Sequence, residues 1–362
     1  MAWLCSPVTA GETGLSADQL RLIGNAVAQI RTHALHVPAS PQRIGDDILR
    51  AYTRSLDPYS DYLTAQEYAA FLESTSADYF GVQMDLQQKN GVLLLFPFKG
   101  GLAEKNGIRA GDELLAVNGA PVYGKSIYVV GSQIRGEEGS TVQLTLRSGR
   151  TLARSLSLRR SRAHYQSVRW HPGPRAHLIE ITRFTRDTDE ELRRILVQIN
   201  KNTLPLLLDL RGNQGGSLID ARKCADFFVE QGRVLFRLRD REGERDISAE
   251  HPVLINNSMV ILQDGATASA AEAFILALSA NHRARSAGAT SYGKGLAQRF
   301  LPLDDGPALR LTYAEILAPD GAAYDGRGLN PDLILPGPLL ESDVKKNKDV
   351  EALVNFLLGI QN

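Results

Sequence analysis

An apolar run followed by a glycine-rich loop constrains the fold of this 362-residue chain more than any other feature. Residues 204–210 are almost entirely apolar, which is typical of a strand that is buried on both faces. The next loop, residues 209–216, holds three glycines within five positions and leads into a helical pattern. Since a strand covered on both faces needs helices on both sides of its sheet, this segment predicts an α/β core.

Strands and helices alternate on both sides of that segment. The spacing of apolar residues predicts helices at 187–200, 218–230 and 268–280, and strands at 176–181, 204–210, 258–262 and 309–316. We therefore expect residues 159–337 to form one α/β domain with a mixed sheet. A charged stretch and a short amphipathic helix are expected to follow at 338–362.

Two regions of different texture precede this core. Residues 1–76 are predicted to be mainly helical, and Ser40 and Thr64 are expected to cap the starts of two of the helices. Residues 77–158 show short alternating runs, an Asn-Gly turn at 118–119 and one short helical pattern, which together predict a small β-rich domain.

Composition excludes several classes of protein. The chain has 41 basic and 41 acidic residues, and this balance argues against a general nucleic-acid binder, which needs a basic face. Two cysteines, Cys5 and Cys224, exclude a disulfide-stapled scaffold and a cysteine-rich zinc site. No apolar run is long enough to span a membrane. Residues 1–10 end in a small-x-small pattern, so they are either the remnant of an export signal or an unstructured terminus.

Ser269 is the first candidate for chemistry. It lies at the start of a predicted helix, among small residues that leave room for a substrate backbone. A serine at this position is usually only a helix cap, but a helix start also offers backbone N–H groups that could hold a developing negative charge. The G-x-S-x-G motif of a nucleophile elbow is absent.

A base that could activate Ser269 is harder to find. His282 would lie about 20 Å away if the helix persisted, at ~1.5 Å per residue. Lys294 lies between Gly293 and Gly295, and its default interpretation is a surface lysine. If it is buried, its pKa would fall and a neutral amine could accept the serine proton. Gln298 could then hold the amine by a hydrogen bond.

These motifs, taken together and in order, resemble those of the C-terminal processing peptidases, or tail-specific proteases. Lys294 follows Ser269 by 25 positions, as in that family. The β-rich unit resembles the family's PDZ domain. The resemblance covers about residues 40–360 and rests on the segments at 57–63, 209–216, 265–270, 292–295 and 326–332.

The resemblance implies a fold and a set of catalytic roles. The fold would be an α/β protease core of the ClpP/crotonase type, with an inserted PDZ domain and an N-terminal helical region. Ser269 would be the nucleophile, Lys294 the general base and Gln298 the residue that orients Lys294. The oxyanion hole would combine the N–H of Ala270 with that of Gly215 or Gly216. No metal or cofactor is implied.

The resemblance also implies a peptide-binding surface on the PDZ domain. A PDZ domain adds an extended peptide to a sheet edge and grips its terminal carboxylate with loop N–H groups. The residues expected to meet the peptide are Tyr79, Phe80, Gly81, Val82, Met84 and Leu86, with Arg135 as a link between peptide binding and activation. The chain departs from some family members at Ala271 and Ala280, and neither change removes a member of the dyad.

The sequence thus favours a serine endopeptidase that binds unstructured, apolar C-terminal tails. Resemblance places it in the bacterial cell envelope, in the periplasm. One alternative is a protease that rests inactive until substrate or an adaptor aligns the dyad. The rival class is a catalytically silent PDZ scaffold. Homo-oligomerisation through the N-terminal helices is a further hypothesis.

Overall fold

A computed structural model of the chain describes most of its length. The described residues are 14–36, 40–74, 78–89, 92–98, 100–164, 166–174, 176–199 and 203–335. The expected signal remnant at 1–10 and the expected helix after 338 lie outside them. No helix within these ranges is long and apolar enough to cross a membrane.

The N-terminal region contains three helices and, unexpectedly, one short strand. Its elements are α1 (Ala17–His33), α2 (Pro41–Arg54), β1 (Asp61–Leu63) and α3 (Ala65–Ser74). Thr64 and Glu67 form the expected cap of α3, because each backbone N–H donates to the other's side chain. Helix α2 begins at Pro41 without a side-chain cap from Ser40, so the predicted cap there is wrong; Pro41 has no N–H to satisfy.

A small β-rich domain follows, as predicted. Its elements are β2 (Asp78–Gly81), β3 (Met84–Lys89), β4 (Val92–Pro97), α4 (Leu102–Lys105), β5 (Asp112–Val117), β6 (Ala120–Pro121), α5 (Ile127–Ile134), β7 (Thr141–Arg147), β8 (Arg154–Arg159) and β9 (Ser161–His164). The predicted Asn-Gly turn joins β5 to β6, with positive φ at Asn118 and Gly119. Strand β8, which the sequence analysis did not predict, extends the sheet beyond β7.

The topology of this domain shows that it is an insertion. Its main sheet is antiparallel, in the order β3-β4-β5-β7-β8, with β6 beside β5. Strands β2 and β9, where the chain enters and leaves the domain, pair with each other antiparallel. Strand β3 is at the edge of the main sheet, next to α5.

The remaining elements build the core. They are β10 (Val168–Pro172), β11 (His177–Ile181), α6 (Thr188–Ile199), β12 (Leu206–Asp209), α7 (Leu218–Asp226), β13 (Val234–Asp240), β14 (Gly243–Ser248), β15 (Met259–Gln263), α8 (Ala270–Ala280), β16 (Arg285–Gly288), β17 (Leu296–Pro302), β18 (Ala308–Leu317) and β19 (Leu333–Ile334). Every predicted core element is present. Helix α7 ends at Asp226, four residues earlier than predicted, and β10, β13, β14, β17 and β19 were not predicted.

Two sheets share the hydrophobic core. One has the order β10-β11-β12-β15-β16-β19, and all its pairs are parallel except that of the edge strand β10. The other is antiparallel, in the order β1-β18-β13-β14, with β17 beside β18. Helix α8 packs against β13 of one sheet and β16 of the other. Eight of its eleven residues are buried, and Glu272 is one of them. The N-terminal region is therefore joined to the core through β1.

Candidate active site

Three loops meet at the carboxyl edge of the parallel strands. The glycine-rich loop follows β12, the Ser269 loop follows β15, and the Lys294 loop follows β16. Because these strands are neighbours in one sheet, their carboxyl ends lie side by side, where α/β folds place their sites. The first two loops are joined by bonds from the N–H of Ala268 to the Asn213 carbonyl (2.9 Å) and from the Thr267 hydroxyl to the Leu210 carbonyl (2.9 Å).

Ser269 adopts a backbone conformation that few L-residues tolerate. Its φ is 58° and its ψ is −121°, and it immediately precedes α8. Such strain costs about 1–3 kcal/mol and persists only where the surroundings hold it. A sharp, strained turn from strand to helix is also the setting of a nucleophile elbow, here without the G-x-S-x-G sequence. The half-buried side chain thus stands at a helix N-terminus.

Of the two glycines of the predicted oxyanion hole, Gly215 lies against this turn and Gly216 lies against Phe184. A Cβ on Gly215 would be 2.8 Å from the Ala270 nitrogen, and one on Gly216 would be 2.1 Å from the Phe184 carbonyl oxygen. The N–H of Gly215 already donates to Asn213 Oδ1 at 2.8 Å. Within the part of the chain that the structure describes, the N–H groups of Gly216 and Ala270 donate to no protein acceptor.

Lys294 is largely enclosed, and its environment disfavours the charged amine. Burial lowers the pKa of Lys294 below its ordinary 10.5, and the nearby Arg310 guanidinium lowers it further, against the opposing effects of Asp325 and Glu272. Its Nζ lies over the ring of Tyr59, 4.5 Å from the centroid. Among the described residues, no hydrogen bond joins this Nζ to Ser269 or to Gln298.

Gln298 belongs to a polar network that includes Thr312 and Asp57. Its amide nitrogen donates to the Leu296 carbonyl (3.1 Å) and to the Thr312 hydroxyl (3.2 Å). The Thr312 hydroxyl donates in turn to Asp57 Oδ1 at 3.0 Å. The predicted contact between Gln298 and Lys294 is absent from this arrangement, because the Gln298 amide nitrogen faces Thr312 and the lysine faces Tyr59.

Glu272 is a site residue that the sequence analysis did not assign. Its fully buried carboxylate accepts the N–H groups of Ser269 (2.8 Å), Gly293 (2.7 Å) and Lys294 (2.9 Å), together with the hydroxyl of Ser291. The sequence does carry a signal, since Ser269 and Glu272 have the S-x-x-E spacing of a capping box. Nothing local indicates the three donors from the Lys294 loop.

The PDZ residues named from sequence fall into two groups. Val82 and Met84 are only 1% and 9% exposed and belong to the domain's hydrophobic core, so in this structure they do not line an open groove. They flank Gln83, whose positive φ of 60° breaks the chain between β2 and β3, so strand alternation does not account for their shared burial. Leu86 is partly buried and faces Gly131 of α5.

The predicted carboxylate-binding loop is anchored to the end of α5. The Phe80 carbonyl accepts the N–H of Gly136 at 3.2 Å, and Tyr79–Gly81 lie in β2. Arg135 donates to the carbonyl of Glu73 at the end of α3 (3.1 Å). Arg135 therefore contacts the N-terminal region in this structure.

Both walls of the predicted PDZ groove are bonded to the core. Tyr128 on α5 accepts a hydrogen bond from Arg310 (2.8 Å), whose Nε also donates to the carbonyl of Tyr59 (2.9 Å). Asp85 on β3 pairs with Arg183 (3.1 Å), next to the Phe184 that packs on the glycine-rich loop. These contacts join segments far apart in the chain, so no sequence spacing predicts them.

Comparison with known proteins agrees with this architecture. The model of peptidase family S41 matches residues 176–335, and a PDZ domain model matches residues 99–148. A probable CtpA-like serine protease of Staphylococcus aureus (strain bovine RF122 / ET3-1) is 33% identical over 79% of this chain, and one of Staphylococcus epidermidis is 31% identical over the same share. The chain spans only 58% and 59% of the length of these two relatives.

A solved structure extends the likeness across both domains. The photosystem II D1 C-terminal processing protease aligns with 91% of this chain and 96% of its own, with a TM-score of 0.68 and 25% identity. The mixed sheets, the inserted PDZ domain and the sequence matches lead to the same conclusion. This chain therefore contains a peptidase family S41 domain and a PDZ domain.

Proposed function

We propose that this chain is a serine endopeptidase in which Ser269 is the nucleophile and Lys294 the general base. One observation carries the proposal: a strained serine at a helix start and a half-buried lysine with a lowered pKa both donate their backbone N–H groups to one buried carboxylate oxygen, Glu272 Oε2. A lysine becomes a useful base when part of its population is neutral near the working pH. The match of residues 176–335 to peptidase family S41 supports the same chemistry.

The proposed reaction proceeds through an acyl-enzyme. Neutral Lys294 takes the Ser269 hydroxyl proton while Oγ attacks the scissile carbonyl carbon. The oxyanion accepts hydrogen bonds from the N–H groups of Ala270 and Gly216, whose donors have no protein acceptor in the described chain. The lysine ammonium then protonates the leaving amine as the C–N bond breaks. Water, deprotonated by Lys294, hydrolyses the ester and frees Ser269.

This sequence requires the lysine side chain to move. In the structure its Nζ lies over Tyr59, so it must rotate toward Ser269 Oγ before it can accept the proton. We therefore propose that the structure corresponds to a resting arrangement. Since Arg310 contacts both Tyr59 and the PDZ residue Tyr128, a shift of the PDZ domain on peptide binding would reach the lysine's surroundings.

The proposed substrates are proteins with unstructured, apolar C-terminal tails. Strand β3 is at an edge of its sheet, so an extended peptide could pair with it between β3 and α5. A folded terminus could not add to that edge. We also propose that an adaptor can activate the protein and that the chain can self-associate. A location in the bacterial periplasm is a further proposal, and it rests on the family resemblance alone.

A degradation assay tests the function directly. We would incubate the purified chain with an unfolded protein that ends in an apolar C-terminus, beside Ser269→Ala and Lys294→Ala. We expect cleavage by the wild type and a loss of at least 100-fold in both variants. A fluorophosphonate probe should label the wild type at Ser269 and leave Ser269→Ala unlabelled.

The same assay separates the rival interpretations. Activity that appears only with an added tail peptide or partner would identify a regulated protease. Tight peptide binding without cleavage or probe labelling under every condition would overturn the proposal in favour of the silent PDZ scaffold.

A further inference from the structure

We infer that Glu272 is a positioning residue that fixes the backbone of the nucleophile, Ser269, relative to the backbone of the general base, Lys294. The inference rests on the proposed function, because the roles of Ser269 and Lys294 come from it. Among the described residues, the Glu272 carboxylate bonds neither the reacting hydroxyl nor the lysine amine. Glu272 holds the backbone of both catalytic residues through one carboxylate.

A single oxygen joins the two residues. Glu272 Oε2 accepts the N–H of Ser269 at 2.8 Å and the N–H of Lys294 at 2.9 Å. The separation between the two catalytic backbones therefore depends on one atom. Because misplacing a reacting group by about 1 Å can cost roughly 100-fold in rate, this restraint bears directly on catalysis.

The second oxygen fixes the rest of the Lys294 loop. Glu272 Oε1 accepts the N–H of Gly293 at 2.7 Å and the hydroxyl of Ser291. The Ser291 hydroxyl accepts the N–H of Leu329 at 2.7 Å, so a further segment is tied to the same group. All of these bonds are buried or partly buried, and the carboxylate has no exposure to solvent.

The Glu272 carboxylate also helps to hold the strained backbone conformation of Ser269. Positive φ at a non-glycine residue is maintained only by surrounding contacts. An N-cap residue must have its own N–H satisfied, and here the acceptor is Glu272, three residues along the helix. The analogous pair in α3, Thr64 and Glu67, closes a local capping box, whereas Glu272 adds three donors from a loop about twenty residues later.

The charge of Glu272 also acts on the pKa of Lys294, an effect that a purely structural residue would lack. The groups that act on the Lys294 amine are the ring of Tyr59, the cation of Arg310 and the carboxylates of Asp325 and Glu272. The Glu272 charge favours the ammonium form and raises the lysine's pKa. Its removal should therefore lower that pKa, and the rate should begin to rise at a lower pH.

The test compares three variants. Glu272→Gln keeps the shape but loses the charge and turns an NH₂ group toward N–H donors. Glu272→Asp keeps the charge but shortens the reach. Asp226→Asn is the matched control, because Asp226 is also buried (3% exposed) and accepts the N–H groups of Glu250 and His251 away from the catalytic loops.

We would measure kcat, KM and their pH dependence on an unfolded protein substrate, with thermal unfolding to confirm folding. Glu272→Gln should lose about 100-fold in kcat with KM changed less than threefold, and its inflection should move to lower pH. Glu272→Asp should also lose kcat but keep the wild-type inflection. Asp226→Asn should keep both, whatever its effect on stability.

Two measurements need no catalysis. Hydrogen exchange at the amides of Ser269, Gly293 and Lys294 should accelerate at least tenfold in Glu272→Gln and stay unchanged in Asp226→Asn. The Lys294 ε-carbon, followed by NMR, should titrate at lower pH in Glu272→Gln. If the wild type cleaves nothing, the proposed function fails, while these two measurements still decide the placement of Glu272. Unchanged exchange and an unchanged lysine titration in Glu272→Gln would overturn the inference.

Discussion

The candidate site and the PDZ domain are held in place in different ways. The three loops of the candidate site are fixed by buried hydrogen bonds, including those of Glu272 and of Asn213, both with no exposed surface. The PDZ domain meets the core through side-chain contacts near the surface, such as Arg183 with Asp85, whose side chains are 48% and 38% exposed. Buried bonds are costly to break, whereas exposed ion pairs contribute little.

This difference indicates how the molecule divides its tasks. The loops that would carry out chemistry are over-determined, so the strained Ser269 turn can persist. We expect the PDZ domain, whose ion pair with the core is exposed, to be held less firmly than these loops. Its contacts nevertheless reach Phe184 and Arg310, each next to one half of the site. Three predictions test this division, and they are ordered by the size of the expected effect.

The largest effect is expected from one added methyl group in the core. In Gly216→Ala the new Cβ would lie 2.1 Å from the Phe184 carbonyl at a φ of 133°, so the glycine-rich loop must shift. We expect at least a 100-fold loss of kcat/KM and a lower melting temperature. Gly131→Ala in α5 is the control, because its Cβ would meet only Leu86 at 3.8 Å. Equal losses of kcat/KM in both variants would contradict the view that the loops of the candidate site are held more rigidly than the PDZ domain.

A smaller effect is expected at the contact between the regions. Arg310→Gln removes a cation that lowers the pKa of Lys294, so that pKa should rise. The neutral amine then becomes scarcer at neutral pH, and kcat/KM should fall about tenfold there and recover at higher pH. Tyr128→Phe loses the bond to Arg310 without a change in charge. A pH–rate profile should show the inflection shifted upward in Arg310→Gln and unshifted in Tyr128→Phe.

The smallest effect is expected at the exposed ion pair. Arg183→Gln and Asp85→Asn, combined in a double-mutant cycle, should reveal a coupling of less than about 1 kcal/mol in unfolding free energy. High salt should remove most of it, because exposed charges are screened. Urea unfolding at two salt concentrations makes the measurement. A coupling above about 2 kcal/mol that survives 1 M salt would show that the PDZ domain is fixed as firmly as the loops of the candidate site.

The sequence by itself determined the elements with strong local patterns. The apolar run at 204–210, the glycine-rich loop and the helix after Ser269 all appear where the sequence predicted them, within about two residues at each end. The order of motifs also sufficed to indicate the family and to name Ser269 and Lys294. Hydrophobic periodicity and glycine spacing are local properties, so they can be read from one segment at a time.

Other elements could not be predicted because their patterns are weak. Strands β13, β14 and β17 mix apolar with polar or charged residues without a sustained two-residue alternation, and β1 is only three residues long within a helical region. Each acquires its identity by pairing with another strand, above all with β18. Such pairing is decided by neighbours that are distant in sequence.

Only the tertiary structure decided what surrounds the two catalytic candidates. Arg310 bonds Tyr59, 251 positions earlier, and Lys294 lies over that same tyrosine ring. The sequence around Glu272 indicates only a helix start, whereas in the structure the Lys294 loop donates hydrogen bonds to its carboxylate. Side-chain contacts between distant segments leave no periodicity in either segment. The sequence could therefore name a serine and a lysine, and the fold determined which charges and hydrogen bonds act on them.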